Sequence, residues 1–543
     1  MIKIKLSELD APVKMERNCI ARMKDFIEDE RWHSERLLVL YGLPETGKDM
    51  LAKQILSYYR NSVKCSVYEV EETDTMEDIY QLLERIQEQD KDRVRQIIWF
   101  REITRVKDFI RRSACLPDIF ATYFRVIIVS GTDSFTFYNA GNDELFDRTT
   151  DIHTTYISFT EHCRLLGSKS LDDYIHYGGL LNPSGERVVH NYDSAYQYVD
   201  KYIAENIYRS TRSGCRFDRY ESLKGLPLSD LKMFVHGILS LCSGVFAKDK
   251  AQALLKKVAE DENRPVHEIL DFIEDGFFSG LDAGCSSREV SEEFLAAISV
   301  IAGNRKLRLE LYMACCFDEV LRRMDVVSVF RQVNFIFEDG SWKIKRRTYP
   351  YHVIQPAVRY WYLQKGREFI EDYRYYNEIS EDGRKTISRA LGAKIDRLMV
   401  AETVLHDVGC ILSTVFRKNW LGRDKRFEVF RAEFRKDGCL YGCYDLVVHD
   451  WETLSHWGFV INNGFEASSE DDRLFSDREL QEKLQKQFGR CNNVAVLYKG
   501  KSSISRFGTV YLNIYDFLSS LESNRDMGKV FKELLEGISK LDK

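Results

Sequence analysis

Residues 37–60 read LLVLYGLPETGKDMLAKQILSYYR. The run LLVLY (37–41) is too short for a helix and suits a buried strand. Gly42, Leu43, Pro44, Glu45, Thr46, Gly47 and Lys48 then fit the spacing G-x-x-x-x-G-K, and a helical pattern runs from Met50 to Arg60. Strand, glycine-bounded loop, lysine and helix is an order suited to cradling phosphates. Glycines let backbone N–H groups turn inward around phosphate oxygens, the lysine adds a point charge, and the helix N-terminus adds a favourable dipole. The competing reading is a plain strand-to-helix turn with an exposed lysine.

Moving outward, SVYEV (66–70), QIIWF (96–100) and FRVIIVSG (124–131) read as further strands, and MEDIYQLLERIQEQ (76–89) and VKDFIRR (106–112) as helices. Residues 1–30 contain a lead-in helix, NCIARMKDFIED. Strands alternating with helices predict a parallel sheet covered on both faces. The chain has 543 residues, 44% hydrophobic and 30% charged, with a net charge of −6. That length predicts three or four domains, and the acidic balance makes the surface as a whole no trap for nucleic acid. Eight prolines favour long helices over proline-rich linkers. No apolar run is long enough for a membrane span, and the first residues lack a signal-peptide core. Thirteen scattered cysteines then suggest reduced thiols and a cytoplasmic location.

The residue after Lys48 is Asp49, where a working metal site has Ser or Thr. The third strand ends Trp99-Phe100-Arg101-Glu102. In the register that makes Glu102 the water-polarising carboxylate, Arg101 stands where an acidic Mg²⁺ partner belongs. A cation there repels a divalent metal. The two departures are expected to pair, Asp49 with Arg101, and to fill the metal site. In the alternative, Arg101 points to solvent and Asp49 or Glu102 binds Mg²⁺.

From about residue 228 the pattern is helical: LSDLKMFVHGILSLC, DKAQALLKKVAED, VHEILDFIEDGFF and LRLELYMACCFDEVLRRM. Two alternating strands then flank EDGS (338–341), where Asp339-Gly340 signals a hairpin. Helices followed by a hairpin predict a winged helix. The last section opens with a helix, AKIDRLMVAETVLHDVG, and continues with the strands RFEVFRAEF, CLYGCYDLVVHD and HWGFVINN. The helix RELQEKLQKQFG, the strand NVAVLYKG and the helix YDFLSSLES complete a second α/β unit.

The ordered series GLPETGK (42–48), ITRVKDFI (103–110), GTDSF (131–135), HTTYISFTEH (153–162), YGGLLNP (177–183), VIQPAVRY (353–360), RFEVFRAEF (426–434) and YDLVVHD (444–450) resembles the prokaryotic AAA-type P-loop ATPases that carry a C-terminal restriction-endonuclease-like domain of unknown function. The resemblance implies an AAA-type domain over 1–220, a helical lid and winged-helix-like region over 221–385, and a nuclease-like domain over 386–543. It implies ATP as the nucleotide, with Thr132 or Asp133 reading the γ-phosphate or the attacking water. Arg148, in LFDR, would sense phosphate or act across a subunit interface; a strand-end turn for Thr132 and Asp133, and a surface ion pair for Arg148, are the plainer readings. In the nuclease-like part, Glu402 and Asp445 match two carboxylate positions of a metal site. The next strand should read Glu-x-Lys, yet Val460 and Asn462 stand there. Without that carboxylate and lysine, no nuclease activity is expected.

Cys439, Cys443, His449 and His456 are spaced too widely for a zinc site and read as buried thiols and surface imidazoles. KIKRR (343–347), beside Trp342, offers a basic wing for DNA phosphates or a solvated basic strand. The expected function is ATP binding with Glu102 and Arg148 as catalytic residues, Gly42 through Asp49 with Thr132 and Asp133 around the nucleotide, Mg²⁺ uncertain and hydrolysis weak. Nucleotide would act as a switch. A non-catalytic scaffold with a protein partner or self-association is the alternative, and DNA binding is a third.

Overall fold

The computed structural model describes residues 1–5, 16–29, 35–44, 46–90, 93–180, 188–213, 225–242, 248–260, 268–270, 319–419, 422–467 and 477–541. The first sheet contains β1 (Ile2–Ile4), β2 (Leu37–Tyr41), β3 (Lys64–Glu69), β4 (Gln96–Arg101), β5 (Arg125–Gly131) and β6 (Thr149–His153), in the spatial order β1-β3-β4-β5-β2-β6. All pairings are parallel except that of β1 with β3.

The apolar run of β2 is explained by its burial on both faces. Leu37 and Val39 join Phe100, Ile127 and Phe137 on one side, and Leu38 and Leu40 join Leu51, Ile55 and Trp99 on the other. The helix Lys48–Tyr59 contributes Leu51, Ala52, Ile55 and Leu56 as one buried stripe. β5 lies between β2 and β4, so the carboxyl ends of all three open at one edge of the sheet. Ligands of open parallel sheets sit at such an edge.

The second sheet has eight strands in the order β15-β16-β14-β13-β12-β11-β7-β8. Here β7 is Val327–Glu338, β8 Ser341–Val353, β11 Phe427–Lys436, β12 Cys439–Asp450, β13 Ser455–Asn462, β14 Arg490–Tyr498, β15 Ser503–Ile504 and β16 Val510–Asn513. A separate pair, β9 (Phe416–Asn419) and β10 (Gly422–Lys425), forms its own small ribbon.

This sheet corrects the winged-helix expectation. The Asp339-Gly340 hairpin is present, with φ of 55° and 73° at its two turn residues. It does not project as a wing, because β7 pairs in parallel with β11 from Gln332↔Arg431 to Phe337↔Lys436. The physical reason is apolar. Val333 and Phe335 of β7 are buried against Phe430, Ala432 and Phe434 of β11, with the Phe335 and Phe434 rings stacked at 4.7 Å. Strand pairing therefore crosses the boundary expected at residue 386. Lys345 and Arg346 stand exposed on the edge strand β8.

The long helix Glu381–Leu412 joins the two halves. Its Leu391, Ile395 and Val404 share a core with Phe159 and Tyr174, which follow β6, and with Phe459 of β13. The expected helix over 266–278 lies outside the described residues except at 268–270, and that over 307–324 except at Glu319–Met324. Among the described residues no helix is long and apolar enough to cross a membrane.

Candidate phosphate-binding site

The loop after β2 turns on two glycines. Gly47 adopts a left-handed φ of 87° and opens the helix at Lys48. Gly42, at φ 152°, lies so close to Thr154 and Thr155 that a Cβ there would collide with both hydroxyls. No side chain caps the helix that follows. An uncapped N-terminus presents its first amide groups and the positive end of the helix dipole to the loop.

Lys48 is buried, and its ammonium donates to the carbonyls of Gly42 at 2.7 Å and Leu43 at 2.6 Å. Burial pushes its pKa down, opposed by the carboxylates of Glu102, Asp325 and Asp49. The loop is braced by residues outside the motif. The Leu43 N–H donates to Thr155 Oγ1 at 2.9 Å, and the Thr46 hydroxyl bonds the Leu43 carbonyl and the Thr154 hydroxyl, both at 2.7 Å. Arg17 donates to the carbonyls of Thr46 at 2.8 Å and Thr154 at 2.9 Å, and its Nε lies 3.0 Å from Glu161. Pro44 belongs to this loop, while Glu45 lies outside the described residues.

Glu102 follows β4 with a left-handed φ of 54°. Such a conformation costs a non-glycine residue about 1 kcal/mol and is found at sites where a side chain must be aimed. Burial pushes its carboxyl pKa up, while Lys48 and Arg105 draw it down. The Thr132 hydroxyl, just past β5, donates to Glu102 at 3.3 Å. Lys48, Glu102 and Thr132 thus converge from three separate strand ends.

Asp49 and Arg101 meet as well. Arg101 Nη2 lies 2.6 Å from Asp49 Oδ2 and Nε lies 3.3 Å from Oδ1, a fork that a third contact, Nη1 to Glu69 at 2.9 Å, holds in place. Mg²⁺ needs oxygen ligands in near-octahedral array. Here the loop hydroxyl is absent and the carboxylate in its place is bound to a guanidinium. The residues do not fit the metal. The cradle, with its lysine and uncapped helix, does fit a polyphosphate.

Two expected residues are placed elsewhere. Asp133 is buried, and its Oδ2 accepts from Arg323 at 2.7 Å and from the Thr136 hydroxyl at 2.8 Å. Of the two residues that follow β5, Thr132 contacts Glu102, and Asp133 is turned into a buried ion pair. Arg148 immediately precedes β6, at the amino end of the sheet, where its carbonyl receives the Leu37 N–H. It is roughly 16 Å from the carboxyl end at ~3.3 Å per residue, and its Nε pairs with Asp118 at 2.7 Å. It cannot serve the loop of its own chain.

Further contacts to this site come from outside the motif. Asp325, at φ 58°, accepts from Thr155 Oγ1 at 2.5 Å and lies 2.8 Å from His153 Nε2. The HTT segment at 153–155 was a sequence signal; its acidic partner lies 170 residues away, and Arg17 carried no signal at all.

In the C-terminal half, Glu402 is gripped by Arg359 through Nε at 2.9 Å and Nη2 at 2.8 Å. Asp445 accepts the Ile461 N–H at 2.9 Å and lies 3.8 Å from Arg397. Val460 is buried beside Tyr444 and Val447, and Asn462 ends β13. Cys443 Sγ lies 3.1 Å from Arg431 Nε, and His449 faces His456 across β12 and β13. Among the described residues no three His, Cys, Asp or Glu side chains gather as a metal site.

No protein-family model matches the chain, and no curated protein matches it. Solved structures give slight likenesses. Caenorhabditis elegans PCH-2 matches at 13% identity and TM-score 0.23, over 43% of this chain and 62% of that one. Cdc6p from Pyrobaculum aerophilum matches at 10% and 0.24, over 68% and 99%. A Walker-type ATPase of Pyrococcus abyssi matches at 12% and 0.24, over 66% and 99%.

Proposed function

We propose that the chain binds a nucleoside triphosphate in the loop 42–49 without the usual metal shell, and that the nucleotide acts as a conformational switch. ATP is the nucleotide implied by the sequence resemblance. The observation that carries this reading is the Asp49–Arg101 fork beside an intact cradle of Gly42, Gly47 and Lys48. Lys48 and the first amides of the helix Lys48–Tyr59 would hold phosphate oxygens. Losing the metal removes part of the charge neutralisation that drives phosphoryl transfer, so hydrolysis is slow or absent. Glu102 and Thr132 would face the terminal phosphate, and Arg148 would act only on the loop of a neighbouring copy.

A switch needs an element that carries the change away from the loop. The segment Arg323–Asp325 supports one. Arg323 holds Asp133, next to Thr132, and Asp325 holds Thr155, which holds the Leu43 amide. Two residues later β7 begins and enters the second sheet. Movement at either strand end would pull on β7.

Thermal unfolding with ATP, with and without Mg²⁺, tests the reading. A ligand that binds only the native chain must raise its stability, by ~2.7 kcal/mol at a hundred times its dissociation constant. Stabilisation in a chelator, lost in Lys48→Ala, supports the proposal; none under either condition defeats it. The second reading, a scaffold without nucleotide, is favoured by the Arg359–Glu402 pair, which fills another expected metal position. Rapid phosphate release that requires Mg²⁺ would defeat both.

A further inference from the structure

β6 is the last strand of the first sheet. Asp151 and His153, two residues apart, share one face of it. That face opens into a cavity of about 1050 Å³ lined also by Tyr41, by Phe137 and Tyr138 of the helix Ser134–Asn142, and by His406 of the helix Glu381–Leu412. Volumes of this order hold small organic ligands or the side chains of a bound peptide.

The cavity combines one carboxylate lacking an ion-pair partner with an aromatic platform. The Tyr41 and His153 rings stack at 4.9 Å with an interplanar angle of 21°. Asp151 makes no ion pair among the described residues; Thr149 and, from farther away, Arg22 oppose the rise of its pKa. The neighbouring charges are engaged elsewhere. Asp325 holds His153 and Thr155, Arg322 lies 3.5 Å from the centre of the Tyr138 ring, and Arg36 lies 3.4 Å from Asp147. Asp151 stays open to the cavity rather than enclosed, and the atoms around it push its carboxyl pKa up.

A carboxylate so placed gains from a cation that brings its own hydrogen bonds. Aromatic faces attract the same charge. Guanidinium satisfies both demands in one group, since its planar fork matches a carboxylate while its face stacks on a ring, whereas an ammonium is a more strongly hydrated point charge. We infer that the cavity over β6 binds a guanidinium-bearing ligand, with Asp151 as its anchor and the Tyr41–His153 stack as its platform. The cavity adjoins the phosphate loop, since Tyr41 precedes Gly42 and Asp325 holds both His153 and Thr155, but the inference does not rest on nucleotide binding.

The test is calorimetric titration of the full chain with agmatine and, separately, with the blocked tripeptide acetyl-Ala-Arg-Ala-amide. Saturable binding of agmatine assigns a free small molecule as the source of the group. Binding of the tripeptide alone assigns an arginine side chain of a protein segment. In either case Asp151→Asn should weaken binding at least tenfold, and Asp147→Asn at the rim should leave it unchanged. No saturable binding of either compound, or equal affinity in Asp151→Asn, overturns the inference. Should that variant fail to fold, the wild-type chain is titrated with the urea analogue of whichever compound bound, N-carbamoylputrescine for agmatine or the citrulline tripeptide for the arginine one. This isostere should bind at least tenfold more weakly than its guanidinium parent, and equal binding overturns the inference.

Discussion

Arg101 grips Asp49 at the mouth of the phosphate loop, and Arg359 grips Glu402 between two helices of the C-terminal half. Both are forked guanidinium–carboxylate pairs, and both involve a residue that the sequence placed at a metal position. Their surroundings differ. Arg359 is 1% exposed and Glu402 8%, whereas the Arg101 and Asp49 side chains are 22% and 51% exposed. The same chemistry therefore does two jobs. In the buried pair neither charge can be removed without stranding the other in a medium that solvates it poorly. In the exposed pair water replaces either partner at little cost. The C-terminal pair belongs to the core, while the loop pair lies at the surface beside Gly42, Gly47 and Lys48.

Breaking the buried pair should have the largest effect. Arg359→Ala leaves Glu402 unpaired and should lower unfolding free energy by about 3–5 kcal/mol. Replacing both, as Arg359→Met with Glu402→Leu, should recover most of that. Chemical denaturation of the single and double variants reads both outcomes, and a single variant within 1 kcal/mol of wild type would show the pair to be less enclosed than the structure has it.

Another buried acid sharpens the contrast because it has no cation. Asp407, on the helix Glu381–Leu412, accepts from the Tyr156 hydroxyl and, at 2.9 Å, from the Phe159 N–H. Burial pushes its pKa up to about 7, its two hydrogen bonds opposing and the carboxylates of Glu522 and Glu161 adding to the rise. Between the unfolded carboxyl value near 3.9 and this folded value, the native chain binds a proton that the unfolded chain does not. Stability from this group is therefore greatest at the acidic end of the window and falls as pH rises through it, by up to roughly 4 kcal/mol. Denaturation midpoints at pH 5 and pH 7.5 should show the fall, and Asp407→Asn should flatten it.

The exposed pair should matter least to stability. Asp49→Ser with Arg101→Asp should change unfolding free energy by less than about 1 kcal/mol. The same change restores a hydroxyl and an acid at the two metal positions, so phosphate release should become Mg²⁺-dependent. A double variant that folds normally and stays indifferent to Mg²⁺ would show that more than these two residues was lost.

The four central strands of the N-terminal sheet were legible because their signals are local, whereas the edge strands β1 and β6 were not read. An apolar run, a glycine-bounded loop and an adjoining helix all fall within residues 37–60, and the Asp49–Arg101 contact follows once β2 and β4 share a sheet edge. The hairpin at 327–353 was misread for the opposite reason. Alternation and Asp339-Gly340 specify the turn, but nothing in the hairpin names β11, about a hundred residues later, as the partner of β7. Asp133 and Arg148 illustrate a related limit. A residue's type and its place in a motif do not reveal that Arg323, 190 residues away, holds the first, or that the second belongs to the amino end of β6.

Calorimetric titration of the purified chain with ATP in excess chelator addresses the central claim most directly. Saturable heat in the absence of metal, abolished by Lys48→Ala, is the predicted result. No heat with chelator, and heat that appears only when Mg²⁺ is added, would contradict it.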